Sequence, residues 1–174
     1  LTGWQTGYLK RPKMNIVIID YGSGNLHSAA KAVERAGRES SVAANVIVTN
    51  ELDQVRKADR IVLPGVGAFA DCYQGLARLE GMIEALEEVV LRKQRPFMGI
   101  CVGMQLLAQR GFEHGEHKGL GWVEGEVIAL KPSGPEFKIP HMGWNELTDI
   151  ADHPVMDGVG KDQYSHAYFD HSYQ

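Results

Sequence analysis

The sequence predicts an α/β protein built on a mostly parallel, twisted sheet that helices flank on both faces. Short apolar runs rich in β-branched residues alternate with segments of helical spacing, and this alternation is typical of βαβ units. The predicted parallel strands are Met14–Asp20, Asn45–Thr49, Asp59–Leu63 and Pro96–Ile100. Because parallel strands are buried on both faces, they are expected to be apolar throughout rather than alternating.

Helical segments follow these strands along the chain. In the first of them, Ala29, Ala30, Val33 and Ala36 recur at the spacing of one helix face. The predicted helices are Leu26 to about Arg38, a helix beginning near Phe69, Met82–Arg92, and Val102 to about Arg110.

Beyond Gly111 the pattern changes to shorter strands. Glycine and proline become frequent, and short strands are predicted at Glu124–Leu130, Trp144–Leu147 and Ala167–His171. No repeat or linker interrupts the chain, so residues 14–174 are predicted to form a single domain. Residues 1–13 lack the apolar core of a signal peptide, and they are interpreted as a leader or an expression-derived extension.

Composition excludes several classes of protein. The 174 residues include 44% hydrophobic and 23% charged residues, an ordinary globular balance that argues against disorder. A net charge of −4, without long runs of one sign, gives no electrostatic support for a nucleic-acid partner. No apolar stretch approaches the roughly 18 residues that indicate a membrane span. Two cysteines, without paired Cys or His spacing, favour neither a disulfide framework nor a metal site, so a cytoplasmic location and no cofactor are expected.

The strongest chemical signal is the pentapeptide from Gly99 to Gly103, with Cys101 at its centre. A nucleophile with glycine two positions before and after it, between an apolar strand and a helix, is the nucleophile-elbow arrangement. The turn is too tight for bulky flanking residues, and the helix N-terminus favours the thiolate. Cys101 is therefore predicted to be a nucleophile, with the Val102 amide donating to an oxyanion. The alternative is a buried structural cysteine between incidental glycines.

A second glycine-rich turn, Pro64-Gly65-Val66-Gly67, ends the preceding strand. Glycines there let backbone amides approach a ligand, so the turn is a candidate for a second oxyanion donor at the same edge of the sheet. An ordinary strand-to-helix turn is the alternative. Gly22-Ser23-Gly24 could begin a dinucleotide loop, but His27 stands where the third glycine of that fingerprint belongs, which disfavours nicotinamide binding. Cys72 has no elbow around it and is predicted to be packed and inert.

The segment from Gly99 to Gln105 (GICVGMQ) resembles the nucleophile motif of class I, triad-type glutamine amidotransferases. Further segments narrow the resemblance to the glutaminase subunits of imidazole glycerol phosphate synthases, which act in histidine biosynthesis. These segments are Asp20–Asn25 (DYGSGN), Leu63–Phe69, Gly119–Trp122, Pro140–Asn145 (PHMGWN), Tyr168-Phe169 and His171–Tyr173. The resemblance runs from Met14 to the last residues, and it implies the flavodoxin-like fold of that family.

The resemblance implies a role for each matching residue. Cys101 attacks the side-chain amide of glutamine, forms a thioester and releases ammonia, while the amides of Val66 and Val102 hold the oxyanion. The residues that seat glutamine are Gly65, Gly67, Gln105, Ser172 and Tyr173. Ammonia passes to a cyclase partner, a (β/α)8 barrel, in a heterodimer that makes imidazole glycerol phosphate and aminoimidazole carboxamide ribonucleotide. The residues that face the partner are Gly24, Asn25, Met142 and Trp144.

The sequence departs from the family near its C-terminal end. The family's base and orienting acid come as His-Pro-Glu beyond the position of Tyr173, so the chain is expected to lack its last segment and to be weak or inactive. The substitutes considered for the base are His114-Gly115-Glu116 and His171, although an ordinary solvated or core imidazole is the favoured interpretation of both. Asp170 stands where the family usually has an apolar residue, and a carboxylate in a buried strand is costly unless it is paired.

Two other functions remain open. Another cysteine hydrolase on a similar sheet would also use a nucleophile elbow, but it would not need Gln105 or the Pro140–Asn145 segment. The second is a non-catalytic module that keeps the scaffold and the partner interface, and the absence of a base favours it.

Overall fold

In the part of the chain that the structure describes, the central sheet has four strands, all parallel, in the order β2-β1-β3-β4. The computed structural model describes residues 13–134, 136–157, 159 and 165–174. The four strands are β1 (Met14–Ile19), β2 (Ala44–Thr49), β3 (Arg60–Gly65) and β4 (Phe97–Cys101). The predicted parallel strands and the α/β class are thereby confirmed.

Helices connect these strands, as the sequence predicts. They are α1 (Leu26–Glu39), α2 (Leu52–Arg56), α3 (Phe69–Ala77), α4 (Met82–Leu86) and α5 (Val102–Gln105), and a π-helical turn at Glu87–Arg92 continues α4. The short helix α2 is not predicted, because five residues are too few to show a helical period. Among the described residues, no helix has the length and apolar character needed to cross a membrane.

Helix α5 is shorter than the prediction, which extended it to about Arg110. The carbonyl of Leu106 accepts the Leu120 N–H at 2.7 Å, and the carbonyl of Leu107 accepts the Trp122 N–H at 2.9 Å. These carbonyls would bond to the next turn in a longer helix. Here the amides of Leu120 and Trp122 replace the N–H donors of that next turn, and the helix ends early.

The core is centred on β1, which has a neighbouring strand on each side. Val17, Ile18 and Ile19 are fully buried, and each such side chain contributes about 1.5 to 3 kcal/mol by leaving water. On one face of the sheet, Ile18 and Val62 pack with the apolar side of α1. The helix residues in that cluster are Leu26, Ala29, Ala30 and Val33. The predicted apolar face of the first helix is confirmed for Ala29, Ala30 and Val33, whereas Ala36 is exposed and lies outside the cluster.

A small three-stranded ribbon follows α5, with strand order β6-β5-β7. Its strands are β5 (Arg110–Gly111), β6 (His117–Lys118) and β7 (Glu126–Val127), so the predicted strand at 124–130 is reduced to two residues. The ribbon supports the start of α3. The cap residue Ala68 has no side-chain oxygen, and Glu113 Oε2 instead accepts the Phe69 N–H at 2.8 Å.

The chain divides into two compact units, one ending at Glu126 and the other comprising Val127–Gln174. The second unit contains the antiparallel hairpin of β8 (His141–Glu146) and β9 (His166–His171). Two strands are therefore confirmed near their predicted positions, with β8 beginning three residues before its predicted start at Trp144. The assignment of a single domain stays a prediction. The predicted leader lies outside the described residues, apart from Lys13.

The hairpin shows how a carboxylate is accommodated at position 170, in a strand that the sequence analysis expected to be buried. Asp170 lies opposite Met142, and Tyr168 lies opposite Trp144. Residues that face each other across antiparallel strands share a face, and these four are all exposed. The expectation of a buried carboxylate is therefore wrong, because Asp170 lies on the open face of its strand and remains solvated.

Candidate active site

Cys101 occupies the last position of β4 and caps the N-terminus of α5. Its backbone has φ 55° and ψ −120°, a conformation that residues other than glycine rarely adopt. The side chain is exposed. A strained backbone at an exposed nucleophile is the geometry of a nucleophile elbow, because the tight turn lifts the side chain out of the sheet. The sequence interpretation of Gly99–Gly103 as an elbow agrees with this geometry.

Glycines are necessary in this turn because the backbones of β3, β4 and α5 approach one another too closely for side chains. A Cβ at Gly103 would lie 1.9 Å from the carbonyl oxygen of Leu63. A Cβ at Gly99 would lie 2.6 Å from the carbonyl oxygen of Gly103, and a Cβ at Gly65 would lie 2.5 Å from the Gly103 nitrogen. Gly65 is also the register partner of Cys101. The Pro64–Gly67 turn is therefore held directly beside the nucleophile.

The amide of Val66 is bound by the loop that follows β1. Its N–H donates to Ser23 Oγ at 2.9 Å, and the same hydroxyl donates to the carbonyl oxygen of Val66 at 2.7 Å. Cys72 Sγ lies 3.3 Å from Ser23 Oγ and 3.4 Å from the same carbonyl oxygen. Gly67, the next residue, has φ 99° and lies in open space. The Val66 N–H thus lies at the sheet edge and donates to Ser23, and its role as an oxyanion donor stays a prediction.

Tyr21 fixes the other end of the same turn. Its hydroxyl donates to the carbonyl oxygen of Pro64 at 2.5 Å. Burial raises the pKa of the Tyr21 phenol well above its usual value, and the neighbouring thiol of Cys72 raises it further. The phenol therefore remains a protonated donor at neutral pH. Cys72 itself is fully buried, as predicted for a packed thiol.

An open cavity of about 730 Å³ adjoins this turn. Its walls come from the loop after β1, from Val66 and from α3. Asp71 and Gln74 of α3 line it, together with Arg78, the C-cap residue of that helix. Its lining is polar and apolar in about equal parts, and Asp71 and Arg78 supply charges of opposite sign.

The first turn of α5 places the other predicted residues. Val102 is buried, and its amide is at the first position of the helix, where no preceding turn supplies an acceptor. Gln105 is partly exposed. Met104 follows Cys101 at a helical spacing that favours a core position, but its side chain is 58% exposed.

The two predicted partner-facing residues of this unit also have structural roles. Asn25 Oδ1 accepts the Ser28 N–H at 3.0 Å and so caps α1. Gly24 has φ 95°, and a Cβ there would lie 2.7 Å from Pro64 Cβ. Substituting either residue would therefore disturb the fold as well as any interface.

The remaining predicted residues belong to the second unit. Met142 and Trp144 are 59% and 72% exposed, and the Trp144 ring meets that of Tyr168 edge to face at 5.7 Å between centroids. The Leu130 N–H donates to the carbonyl of Ser172 at 2.9 Å, and Tyr173 forms a bridge with Ala129. The hairpin thus presents large apolar side chains beside the carboxylate of Asp170, whereas the segment after it is held by backbone hydrogen bonds.

The two candidate substitutes for the base are engaged elsewhere. The Tyr173 carbonyl lies 3.0 Å from His171 Nδ1 and can only accept, so that nitrogen carries the proton. His171 Nε2 lies 3.3 Å from His141 Nδ1, so the second ring nitrogen is also within hydrogen-bond distance of a neighbour. In the other candidate, the Glu116 carboxylate pairs with Arg110 at 2.9 Å rather than orienting His114. Neither histidine forms the base–acid pair that a thiol nucleophile needs.

The sequence profile described as glutamine amidotransferase class-I matches residues 17–174, which is most of the chain. The chain belongs to the class-I glutamine amidotransferases. Among the relatives of this amidotransferase is the imidazole glycerol phosphate synthase subunit HisH of Rhodospirillum rubrum, 57% identical over 161 residues that cover 92% of this chain and 74% of the relative. The subunits of the same name from Rhodopseudomonas palustris and Rhizobium meliloti are 54% and 55% identical with the same coverage.

A solved glutamine amidotransferase is also similar in structure to this amidotransferase. The TM-score is 0.49 at 19% identity, and the match covers 65% of this chain and 56% of that one.

Sequence reasoning missed the roles of Tyr21, Ser23 and Cys72 in holding the Pro64–Gly67 turn. The sequence does contain an indication of the roles of Tyr21 and Ser23. Because β1 and β3 are neighbours in a parallel sheet, the loops that follow them emerge side by side, and hydroxyl groups in one can bond to the backbone of the other. The contact made by Cys72 has no comparable signal, since it depends on the rotation of α3.

Proposed function

We propose that this amidotransferase hydrolyses glutamine to glutamate and ammonia through a thioester on Cys101, and that the ammonia passes to a cyclase subunit. The observation that carries the proposal is the exposed Cys101 in a strained elbow at the end of β4, in a chain of this family. The names of the relatives support a place in imidazole glycerol phosphate synthase, and therefore in histidine biosynthesis.

In the proposed reaction, the Cys101 thiolate attacks the side-chain carbonyl carbon of glutamine, and a C–S bond forms. The carbonyl oxygen becomes an oxyanion, which collapses and breaks the C–N bond, and the NH2 group takes up the proton that the Cys101 thiol gave up and leaves as ammonia. Water then attacks the thioester, releasing glutamate and restoring the thiol. Cys101 directly precedes the first turn of α5, whose N-terminal amides have no acceptor within the helix.

The amides of Val102 and Val66 are proposed to stabilise the oxyanion. Gly65 supports this role for Val66, since it lies opposite Cys101 in the β3–β4 register and brings the turn beside the nucleophile. Two such donors in a site that excludes water contribute a large part of catalysis in acyl transfer. Glutamine is proposed to be seated by Gly65, Gly67, Gln105, Ser172 and Tyr173.

The partner is proposed to be a (β/α)8 cyclase in the cytoplasm, which consumes the ammonia to form imidazole glycerol phosphate and aminoimidazole carboxamide ribonucleotide. Its docking surface is proposed to include Gly24, Asn25, Met142 and Trp144. The exposure of the last two supports this, because large exposed apolar side chains are typical of binding surfaces.

The decisive experiment measures glutamate release from glutamine by the chain mixed with a cyclase subunit and its nucleotide ligand. Replacing Cys101 by Ala removes the nucleophile and is expected to lower turnover by about a thousandfold or more. Turnover that persists in this variant would rule out the proposed mechanism. The parallel measurement uses the chain with the family's His-Pro-Glu segment appended, and activity that appears only there assigns the base to that segment.

The same samples separate the alternatives. A non-catalytic module would bind the cyclase in a pull-down and release no glutamate in either form of the chain. Another cysteine hydrolase would lose its activity in Cys101→Ala, but would neither bind the cyclase nor respond to its ligand.

A further inference from the structure

Two histidine rings meet across the β8–β9 hairpin. His141 at the start of β8 and His171 at the end of β9 are register partners, and residues paired in this way have Cβ atoms about 4.5 to 5.5 Å apart. Both histidines are partly buried, and they lie on the opposite face from the exposed Met142 and Asp170 because side chains alternate along a strand. The two rings therefore share one small, partly sheltered volume.

The closest approach of these rings fits a shared metal ion better than a direct hydrogen bond. His141 Nδ1 and His171 Nε2 are 3.3 Å apart. A well-formed N–H hydrogen bond is shorter, at roughly 2.7 to 3.2 Å. Two nitrogens that each lie about 2.0 to 2.1 Å from a tetrahedral zinc ion are separated by about 3.3 to 3.4 Å. The pair thus already has the spacing of two zinc ligands.

The hydrogen bond on the far side of His171 prepares this ring to bind a metal. The Tyr173 carbonyl lies 3.0 Å from His171 Nδ1 and can only accept, so Nδ1 carries the proton of the neutral ring and Nε2 presents its lone pair to His141. Histidines that bind metals commonly donate their other ring N–H to a carbonyl or a carboxylate, which fixes the tautomer and the ring orientation. His171 has this arrangement before any ion binds.

The ring of His141 is held from another direction. It stacks on the ring of Phe169, with the centroids 5.4 Å apart and an angle of 14° between the planes. In the neutral tautomer that carries its proton on Nε2, His141 Nδ1 also presents a lone pair to the space between the two histidines. Because stacking already orders the ring, less conformational entropy is lost when an ion binds.

We propose that one divalent transition-metal ion of the zinc class binds between His141 Nδ1 and His171 Nε2. Imidazole nitrogens suit zinc, nickel and copper, whereas magnesium and calcium prefer oxygen ligands. In the described part of the chain, no group of three His, Cys, Asp or Glu side chains is placed to hold a metal, so water or a small molecule fills the other coordination positions. The ion joins the two ends of the hairpin directly before Ser172 and Tyr173. This site is independent of the proposed function.

Calorimetric titration with zinc chloride tests the site, using the chain without a polyhistidine tag. The measurement is made in the Cys101→Ala variant, because the exposed Cys101 thiol is itself a zinc ligand. One ion per chain is expected. His141→Gln or His171→Gln, added to that variant, removes a ligand nitrogen and is expected to weaken zinc binding about tenfold or more. His27→Gln is the matched control, because His27 is exposed on α1 in the other compact unit.

A second measurement counts the histidine ligands directly. With copper(II) as the probe, electron paramagnetic resonance of the Cys101→Ala chain is expected to show coupling to two imidazole nitrogens. Either glutamine variant is expected to show coupling to one. A histidine with only a structural role would not remove one nitrogen from the spectrum, so this count separates a ligand from a residue that supports the fold.

The outcomes decide the site in either direction. Loss of zinc affinity in both glutamine variants, with His27→Gln unchanged and no binding of magnesium, would support it. Unchanged zinc affinity in either glutamine variant, an equal loss in His27→Gln, or coupling to fewer than two nitrogens in the Cys101→Ala chain would each overturn it. Glutamate release plays no part in these measurements, so they stand whether or not the proposed function holds.

Discussion

At the end of β4, backbone geometry determines the candidate site, whereas in the β8–β9 hairpin the alternation of side chains determines the exposed surface. Around Cys101, three glycines allow backbones to meet and one residue carries a strained φ. In the hairpin, Trp144 and Met142 face outward because every second residue does so. Side chains are therefore replaceable in the hairpin without loss of fold, whereas positions in the elbow tolerate almost no addition.

The largest effect is expected from Gly103→Ala. The new Cβ would lie 1.9 Å from the Leu63 carbonyl oxygen, and neither backbone can move away without disrupting β3 or α5. We expect a loss of about 3 kcal/mol or more in the free energy of unfolding, measured by urea denaturation.

The matched control for this substitution is Gly37→Ala, also a helical glycine. Its Cβ would meet only the Ala44 Cβ at 3.2 Å and the Val42 carbonyl at 3.4 Å. The gain of about 1 kcal/mol in helix propensity offsets this contact, so little change is expected. A similar loss of stability in both variants would show that the elbow is no more crowded than an ordinary helix.

Trp144→Ala tests whether an exposed side chain of the β8–β9 hairpin can be removed without loss of fold. Because this side chain is 72% exposed, its removal is expected to change the free energy of unfolding by less than about 0.5 kcal/mol. If the hairpin docks the cyclase, the same change weakens binding by about 1 to 3 kcal/mol, measured by calorimetry.

Val155→Ala provides the control, since Val155 is 78% exposed but lies outside the hairpin. It is expected to change neither stability nor affinity. Equal affinity for the cyclase in all three forms of the chain would remove Trp144 from the docking surface.

Sequence patterns predicted the two regions unequally, for physical reasons. The elbow was predicted in detail because glycine spacing around Cys101 reports directly on backbone contacts. The restraint on Val66 was not predicted, because it depends on a hydroxyl from another loop. Asp170 was misjudged, since a strand of six residues with mixed character does not reveal which face is open. The end of α5 was missed because carbonyl acceptors are satisfied by a segment distant in sequence.

The smallest and most specific effect concerns the strain at Cys101 itself. A non-glycine residue at φ 55° and ψ −120° costs about 1 to 3 kcal/mol, which glycine does not incur. Cys101→Gly is therefore expected to be more stable than Cys101→Ala by about 1 kcal/mol, after allowing for the greater freedom of glycine in the unfolded chain. Both variants lack the thiol, so the difference between their urea midpoints isolates the backbone. Equal or lower stability of the glycine variant would mean that the elbow is not strained and that its geometry follows from packing of the glycines alone. Higher stability of the glycine variant would instead show that the backbone conformation that presents the nucleophile lowers the stability of the protein.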